Sequence, residues 1–255
     1  MDENIFNKLQ HLIGFAGKNI NVLGEQINIE IQLEFFEMSK KLNSLEIKEY
    51  DLVNSEKLYD NDVDIVTKKL ILTTLAAIEK VESFRIIEKY NENPDIELKD
   101  WSLMAYQTSK AQLEGALLNQ NQIFISTGLG GKADKLRYFV VVIGKNEQFT
   151  LLQQKIIENE LNFEISKVNG EVENIIFDRN FAAIKVLFPL MVSIKQLFKK
   201  VITESNSFGD FLDNNFLITN VKELSTSEII SFINTNQQKL NETEDETTNP
   251  DEFTE

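Results

Sequence analysis

The sequence predicts an α+β fold with helices first and a sheet second. Three observations carry that expectation. Residues 62–90 and 101–118 place apolar side chains at spacings of three and four, the period of a helix. From residue 136 onward, apolar or alternating runs of strand length are interleaved with helical stretches. Ser225-Thr226-Ser227-Glu228 then forms a capping box at the head of one more helix. The expected architecture is a helical N-terminal part containing an antiparallel helix pair, followed by a mostly antiparallel or mixed sheet with helices on one face. A ferredoxin-like split βαβ order fits this pattern roughly, with one strand too many. The expected division is a mainly helical part over 1–120, a sheet-containing part over 121–238 and a disordered acidic tail over 239–255.

Ile5, Leu9, Leu12, Ile13 and Phe15 share one face of a short first helix, weakened by Gly14 and Gly17. Ile27, Ile29, Ile31, Leu33 and Phe35 alternate with polar residues, which predicts a half-buried strand. A helix over 24–42 is the competing reading, because that segment is rich in helix formers. Residues 43–61 are polar and aperiodic, so a loop is expected. Asp60, Asp62 and Asp64 resemble the opening of a calcium loop, but Ile65 and Ile71 stand where its glycine and glutamate belong. The aspartates are instead assigned to capping the next helix. That helix is expected to run unbroken over 62–90, with an apolar stripe wide enough for more than one neighbour, and to end before Pro94. Asp100 is expected to cap a second helix, 101–118, with Trp101 covering a core edge.

After the central loop the expected elements are strands over 136–143, 162–168, 171–177, 181–187 and 215–220, and helices over 147–161, 189–204 and 226–236. Asn169-Gly170 supplies a hairpin signal, since both residues tolerate positive φ. Pro189 suits the first turn of its helix. From Asn241 the chain is acidic and nearly free of large apolar residues, which predicts disorder.

The composition removes several classes of chemistry. There is no cysteine, hence no disulfide, zinc-thiolate site, iron–sulfur cluster or cysteine nucleophile. His11 is the single histidine and has no nearby partner, so a surface residue is expected rather than a base or metal ligand. The first residues are acidic and no apolar run approaches the roughly 20 residues of a membrane span. No membrane insertion and a cytoplasmic location are expected. The net charge of −15 disfavours general attraction to phosphate backbones, although 242–255 alone contributes seven acidic residues.

Gln122 to Ile143 is where glycine and positive charge coincide. Its loop offers Ser126, Thr127, Gly128, Gly130, Gly131, Lys132, Lys135 and Arg137 as candidate partner or anion contacts. Glycines let a backbone approach a ligand or form a nest of N–H groups. The loop matches neither the Walker pattern, since Ala133 follows Gly130-Gly131-Lys132, nor the dinucleotide pattern. A plain hairpin turn is the competing reading. Lys195, Lys199 and Lys200 form a second, modest basic strip, and a solvated helix face explains it equally well.

No catalytic residue, cofactor site or metal site is expected. The expectation is a non-enzymatic, cytoplasmic protein-interaction or assembly factor with a protein partner. RNA or ribonucleoprotein binding through 126–137 is the alternative, and an enzyme acting on a phosphorylated small molecule at that loop is the third.

Overall fold

A computed structural model describes residues 20–42, 54–118 and 123–245. The expected first helix, His11 and residues 246–255 lie outside them. The chain divides into two units, 1–137 with 189–191 and 138–188 with 192–255. Seven α-helices and the strands among these residues make an α+β fold.

The first unit holds β1 (Ile20–Val22), α1 (Ile29–Lys41), α2 (Ile65–Ala76), α3 (Val81–Glu92), α4 (Lys99–Leu118), β2 (Ile123–Ile125) and β3 (Gly131–Lys132). Short 3-10 turns at Ser55–Tyr59 and Ile96–Leu98 connect the helices. Strands β1 and β2 pair in parallel, Ile20 opposite Ile123.

The strand expected over Ile27–Phe35 is a helix. Asn28 caps α1, its side chain accepting from the Glu30 N–H at 2.8 Å. An alternating pattern contains a period of four within it: Ile27, Ile31 and Phe35 form the inward helical stripe, while Leu33 is left exposed. Asp64 caps α2 as expected, accepting from the Thr67 N–H at 2.9 Å. The helix expected over 62–90 breaks at residues 77–80, where Lys80 is extended. Both halves then pack on α4. The wide stripe is real, since residues 71–76 of α2 are all buried. Asp100 lies inside the first turn of α4 rather than capping it.

Helices α3 and α4 form the expected antiparallel pair. Phe84 stacks near Tyr106, while Asn91, further along α3, meets Ser102 at the start of α4. Trp101 is fully buried rather than at a core edge. Its Nε1–H lies 3.2 Å from both the Lys69 carbonyl and the Thr73 hydroxyl, and its ring packs on Phe35.

The second unit is organised by β4 (Lys135–Gly144), whose first residues pair with β3 and whose remainder continues into this unit. It is followed by α5 (Leu151–Ser166), β5 (Glu171–Asp178), β6 (Phe181–Pro189), α6 (Ile194–Asn206), β7 (Leu212–Thr219) and α7 (Thr226–Asp245). The spatial order is β7-β4-β6-β5. Together with β3 on β4 this makes a five-stranded sheet, and the chain order β-α-β-β-α-β from β4 onward is compatible with a split βαβ unit.

The extra strand expected over 162–168 does not exist. Residues 151–166 are one helix, capped by a Thr150/Gln153 capping box. Leu161, Glu164 and Ile165 lie on its buried side. Asn169-Gly170 closes this helix instead of turning a hairpin. Asn169 takes φ 55°, and the Gly170 N–H reaches back to the Ile165 carbonyl at 3.0 Å. The hairpin follows at Arg179-Asn180, between Asp178 and Phe181. Pro189 ends β6, and α6 begins only after Ser193. Ser225 caps α7, which continues past the expected end at 236 to Asp245.

The core of this unit lies between the sheet and helices α5 and α6. Val140 and Val142 from β4, Ile184 and Val186 from β6, and Ile157 and Leu161 from α5 meet Phe198 and Val201 from α6. The central strands are also buried on their other face, at Phe139, Val141, Phe181 and Leu187.

Candidate functional site

The 126–137 loop turns inward. Thr127, Gly128, Gly130 and Gly131 are buried, and only Lys132, Ala133 and Asp134 at the β3–β4 turn are exposed. Two side chains organise the bend. Buried Gln32 on α1 donates to the Ile27 carbonyl at 2.8 Å and the Thr127 carbonyl at 3.2 Å, and accepts from the Ser126 hydroxyl. Arg137 donates from Nη1 to the Leu129 carbonyl at 2.8 Å, and its N–H bonds the Gly130 carbonyl at 3.0 Å. The Thr127 hydroxyl donates to the same Gly130 carbonyl at 3.2 Å.

Gly130 and Gly131 answer to close backbone packing. Gly130 sits at φ 64°, and a Cβ there would fall 2.6 Å from the Gly24 carbonyl oxygen and closer still to that of Glu25. A Cβ on Gly131 would strike the Lys135 carbonyl and the Val22 side chain. Their N–H groups point to carbonyls: Gly130 to Thr127 at 3.0 Å and Gly131 to Gly24 at 3.4 Å. A nest that binds an anion needs N–H groups aimed at the ligand. Lys132 remains exposed and Lys135 half-buried.

Two ionic clusters escaped the sequence reading. In the first unit the Lys68 ammonium, with 4% of its side chain exposed, sits 2.7 Å from Asp95 Oδ2. The Tyr90 hydroxyl donates to the same oxygen at 2.7 Å. Hydrogen bonds from Lys68 and Tyr90 hold the Asp95 carboxyl below its ordinary range, while burial pushes the Tyr90 phenol up. In the second unit Glu164 is buried and receives Lys167 at 2.7 Å and Lys200 at 3.2 Å. These partners, Lys167 foremost, lower its pKa. One member of the expected basic strip is thus engaged with a carboxylate, while Lys195 and Lys199 lie exposed on α6. The signal that could have found both clusters is a charged residue on an apolar stripe: Lys68 between Ile65 and Leu72, and Glu164 between Leu161 and Ile165.

Three loops meet at one end of the second unit. The Lys145 N–H bonds the Phe211 carbonyl at 2.9 Å, and its ammonium pairs with Asp210 at 2.6 Å. The Phe149 N–H bonds the Arg179 carbonyl at 3.2 Å. The Phe149 ring packs between Phe177 and Phe211 and anchors the cluster. Around this fixed frame Leu151, Leu152 and Phe208 stand 78%, 69% and 65% exposed. Leu151 and Leu152 are the first two residues of α5, where nothing in helix chemistry asks for leucine.

Among the described residues no group of three or more His, Cys, Asp or Glu side chains could hold a metal ion, and no helix is long and apolar enough to cross a membrane. No protein-family model and no curated protein matches the chain. One solved structure that it resembles is named "putative transposase" from Deinococcus radiodurans. The two are 14% identical, with a TM-score of 0.36, over 41% of this chain and 93% of the other. A likeness at that identity and TM-score says nothing about what this chain does.

Proposed function

We propose that the chain is a non-enzymatic protein-interaction factor that meets a protein partner through the loop end of the second unit. One observation carries this reading: Leu151 and Leu152 in the first turn of α5 and Phe208 in the α6–β7 loop are large, apolar and exposed at the same end of the sheet, beside loops tied together through Phe149, Lys145 and Asp210. Scattered exposed apolar residues are ordinary, but a group on a fixed frame offers a contact surface with little ordering cost. The partner chemistry that fits is an apolar protein surface rimmed by both charges, because Lys145 and Arg179 flank the group together with Glu147 and Asp210. RNA binding through 126–137 has no observation in its favour, since the glycines are packed inside and Arg137 serves the Leu129 carbonyl.

The test compares the parent with a Leu151→Ser, Leu152→Ser, Phe208→Ser variant. Captured proteins are identified by mass spectrometry and then retested as purified pairs. The variant is expected to keep its melting temperature and lose a direct partner. A variant that retains every direct partner of the parent overturns this surface.

A further inference from the structure

Strand β5 is an edge of the second unit's sheet, and its chemistry is uneven along its length. The ladder with β6 is regular from Asn174 to Asp178 and bulges between Val172 and Asn174. Bulges and charges blunt an edge against pairing. Here the bulge, with Glu171 and Glu173, protects only the first half. The second half reads Asn174-Ile175-Ile176-Phe177 and carries no charge until Asp178.

The direction of its free backbone groups follows from the hairpin. Asp178 and Phe181 close a two-residue turn, so their N–H and C=O groups face each other. Groups alternate along an antiparallel strand, so Ile176 and Asn174 also face β6. Ile175 and Phe177 therefore turn their N–H and C=O groups to the open edge. Among the described residues no strand pairs with that edge. On the sheet surface Ile175 and Phe177 lean on the core, while Ile176 points to the opposite face and is 55% exposed.

We propose that β5 is a dimerisation edge: two copies of this chain pair antiparallel through it, about a two-fold axis at Ile176. Three symmetric registers let outward groups meet outward groups, centred on 175, 176 or 177. Centring on 175 sets Val172 against Asp178, and centring on 177 sets Ile176 against Asp178. Only the 176 register sets Ile175 of each copy against Phe177 of the other and Ile176 against itself. It also brings Glu173 to the level of the second copy's Arg179, so opposite charges flank the apolar centre. A self-complementary patch of this kind is what a two-fold dimer requires. The result is one continuous sheet running through both copies, with the α5 and α6 layers of both on one side. This inference stands apart from the apolar loop end and is read by different variants.

The absence of cysteine makes the test sharp. In the 176 register Ile176 faces its own copy as a non-hydrogen-bonded pair, with Cβ atoms about 5 Å apart. Ile176→Cys is therefore expected to form a disulfide-linked dimer under mild oxidation. Asn174→Cys and Asp178→Cys are expected to stay monomeric alone and to crosslink when mixed, because they oppose each other. Sedimentation of the parent is expected to move from monomer to dimer with rising concentration, and Ile176→Lys is expected to abolish that shift while keeping the melting temperature that the parent shows at concentrations where it is monomeric. A parent that remains monomeric throughout overturns the proposal. So does an Ile176→Cys variant that crosslinks no faster than Asn174→Cys.

Discussion

Asp95→Asn should destabilise the first unit more than Lys68→Met, although both remove the same ion pair. Lys68 is almost wholly buried, with its ammonium 2.7 Å from Asp95, whereas Asp95 keeps 37% of its side chain exposed. Removing the carboxylate strands a charge in the interior. Breaking a fully buried pair in this way costs about 3–5 kcal/mol, and screening at the half-open aspartate reduces that to about 2 kcal/mol. Lys68→Met takes the buried charge away and fills its channel, leaving Asp95 with water and the Tyr90 hydroxyl; under about 1 kcal/mol is expected. The double variant should lie nearer to Lys68→Met than to Asp95→Asn. Trp101 is the single tryptophan and is buried beside Lys69, so its fluorescence follows this unit during urea unfolding. The pH dependence has a definite sign at both ends. Asp95 is lowered on folding, so its contribution is complete above its ordinary value of 3.8 and is lost as pH falls through the lower folded value. Tyr90 is raised, so its contribution is complete below 10.0 and is lost as pH rises above that. If Lys68→Met proves as damaging as Asp95→Asn, the buried-charge account is wrong.

Three further outcomes are expected. Gly130→Ala should lower stability by about 3 kcal/mol, from a left-handed backbone angle and a clash with fixed carbonyls. Gly24→Ala, whose Cβ would stand 3.5 Å from the Gly131 oxygen, should cost about 1 kcal/mol or less; equal melting temperatures for the two would refute close packing as the reason for Gly130. Arg137→Ala should lose about 1–3 kcal/mol with the hydrogen bond to the carbonyl of buried Leu129, whereas exposed Lys132→Ala should stay within about 0.5 kcal/mol. Chemical denaturation of both variants checks this. Glu164→Gln should cost about 1–2 kcal/mol at neutral pH by unpairing Lys167 and Lys200. Since the Glu164 pKa is lowered, the parent's advantage should shrink as pH falls below 4.5, and an advantage independent of pH would contradict the ionic account.

The sequence was legible where one period excluded the others. The stripe of α6, with Ile194, Leu197, Phe198, Val201, Ile202 and Ser205 buried, has no strand interpretation, and its helix starts five residues later and ends two residues later than expected. Capping was legible too: Asp64 and Ser225 act where their side chains indicated. Ambiguity entered where one pattern serves two geometries. Residues 27–35 alternate, yet every second member of that alternation also makes a helical stripe; Asn28 and the packing of Phe35 on Trp101 decide for the helix. Asn169-Gly170 signals positive φ, which a hairpin and a helix end both need. The choice falls to whether the residues after Leu161 continue the buried stripe of α5, and Ile165 does so.

The candidate loop shows the same limit at the level of a site. Three glycines can mean a ligand that comes close or a backbone that comes close, and composition treats these alike. The partner that decides is Gln32, 95 residues earlier, which no local pattern connects to Thr127. With Gln32 and Arg137 on the loop's carbonyls, close backbone packing accounts for Gly130 and Gly131. The two surfaces proposed for contact carry no local signal in the sequence. The leucines that open α5 look like core residues in a linear reading, and only the turn at Thr150 exposes them. Ile176 looks like one more inward member of a strand. Its exposure follows from topology: β5 follows α5 in the chain but lies at the sheet's edge, because β6 and not β5 takes the place beside β4.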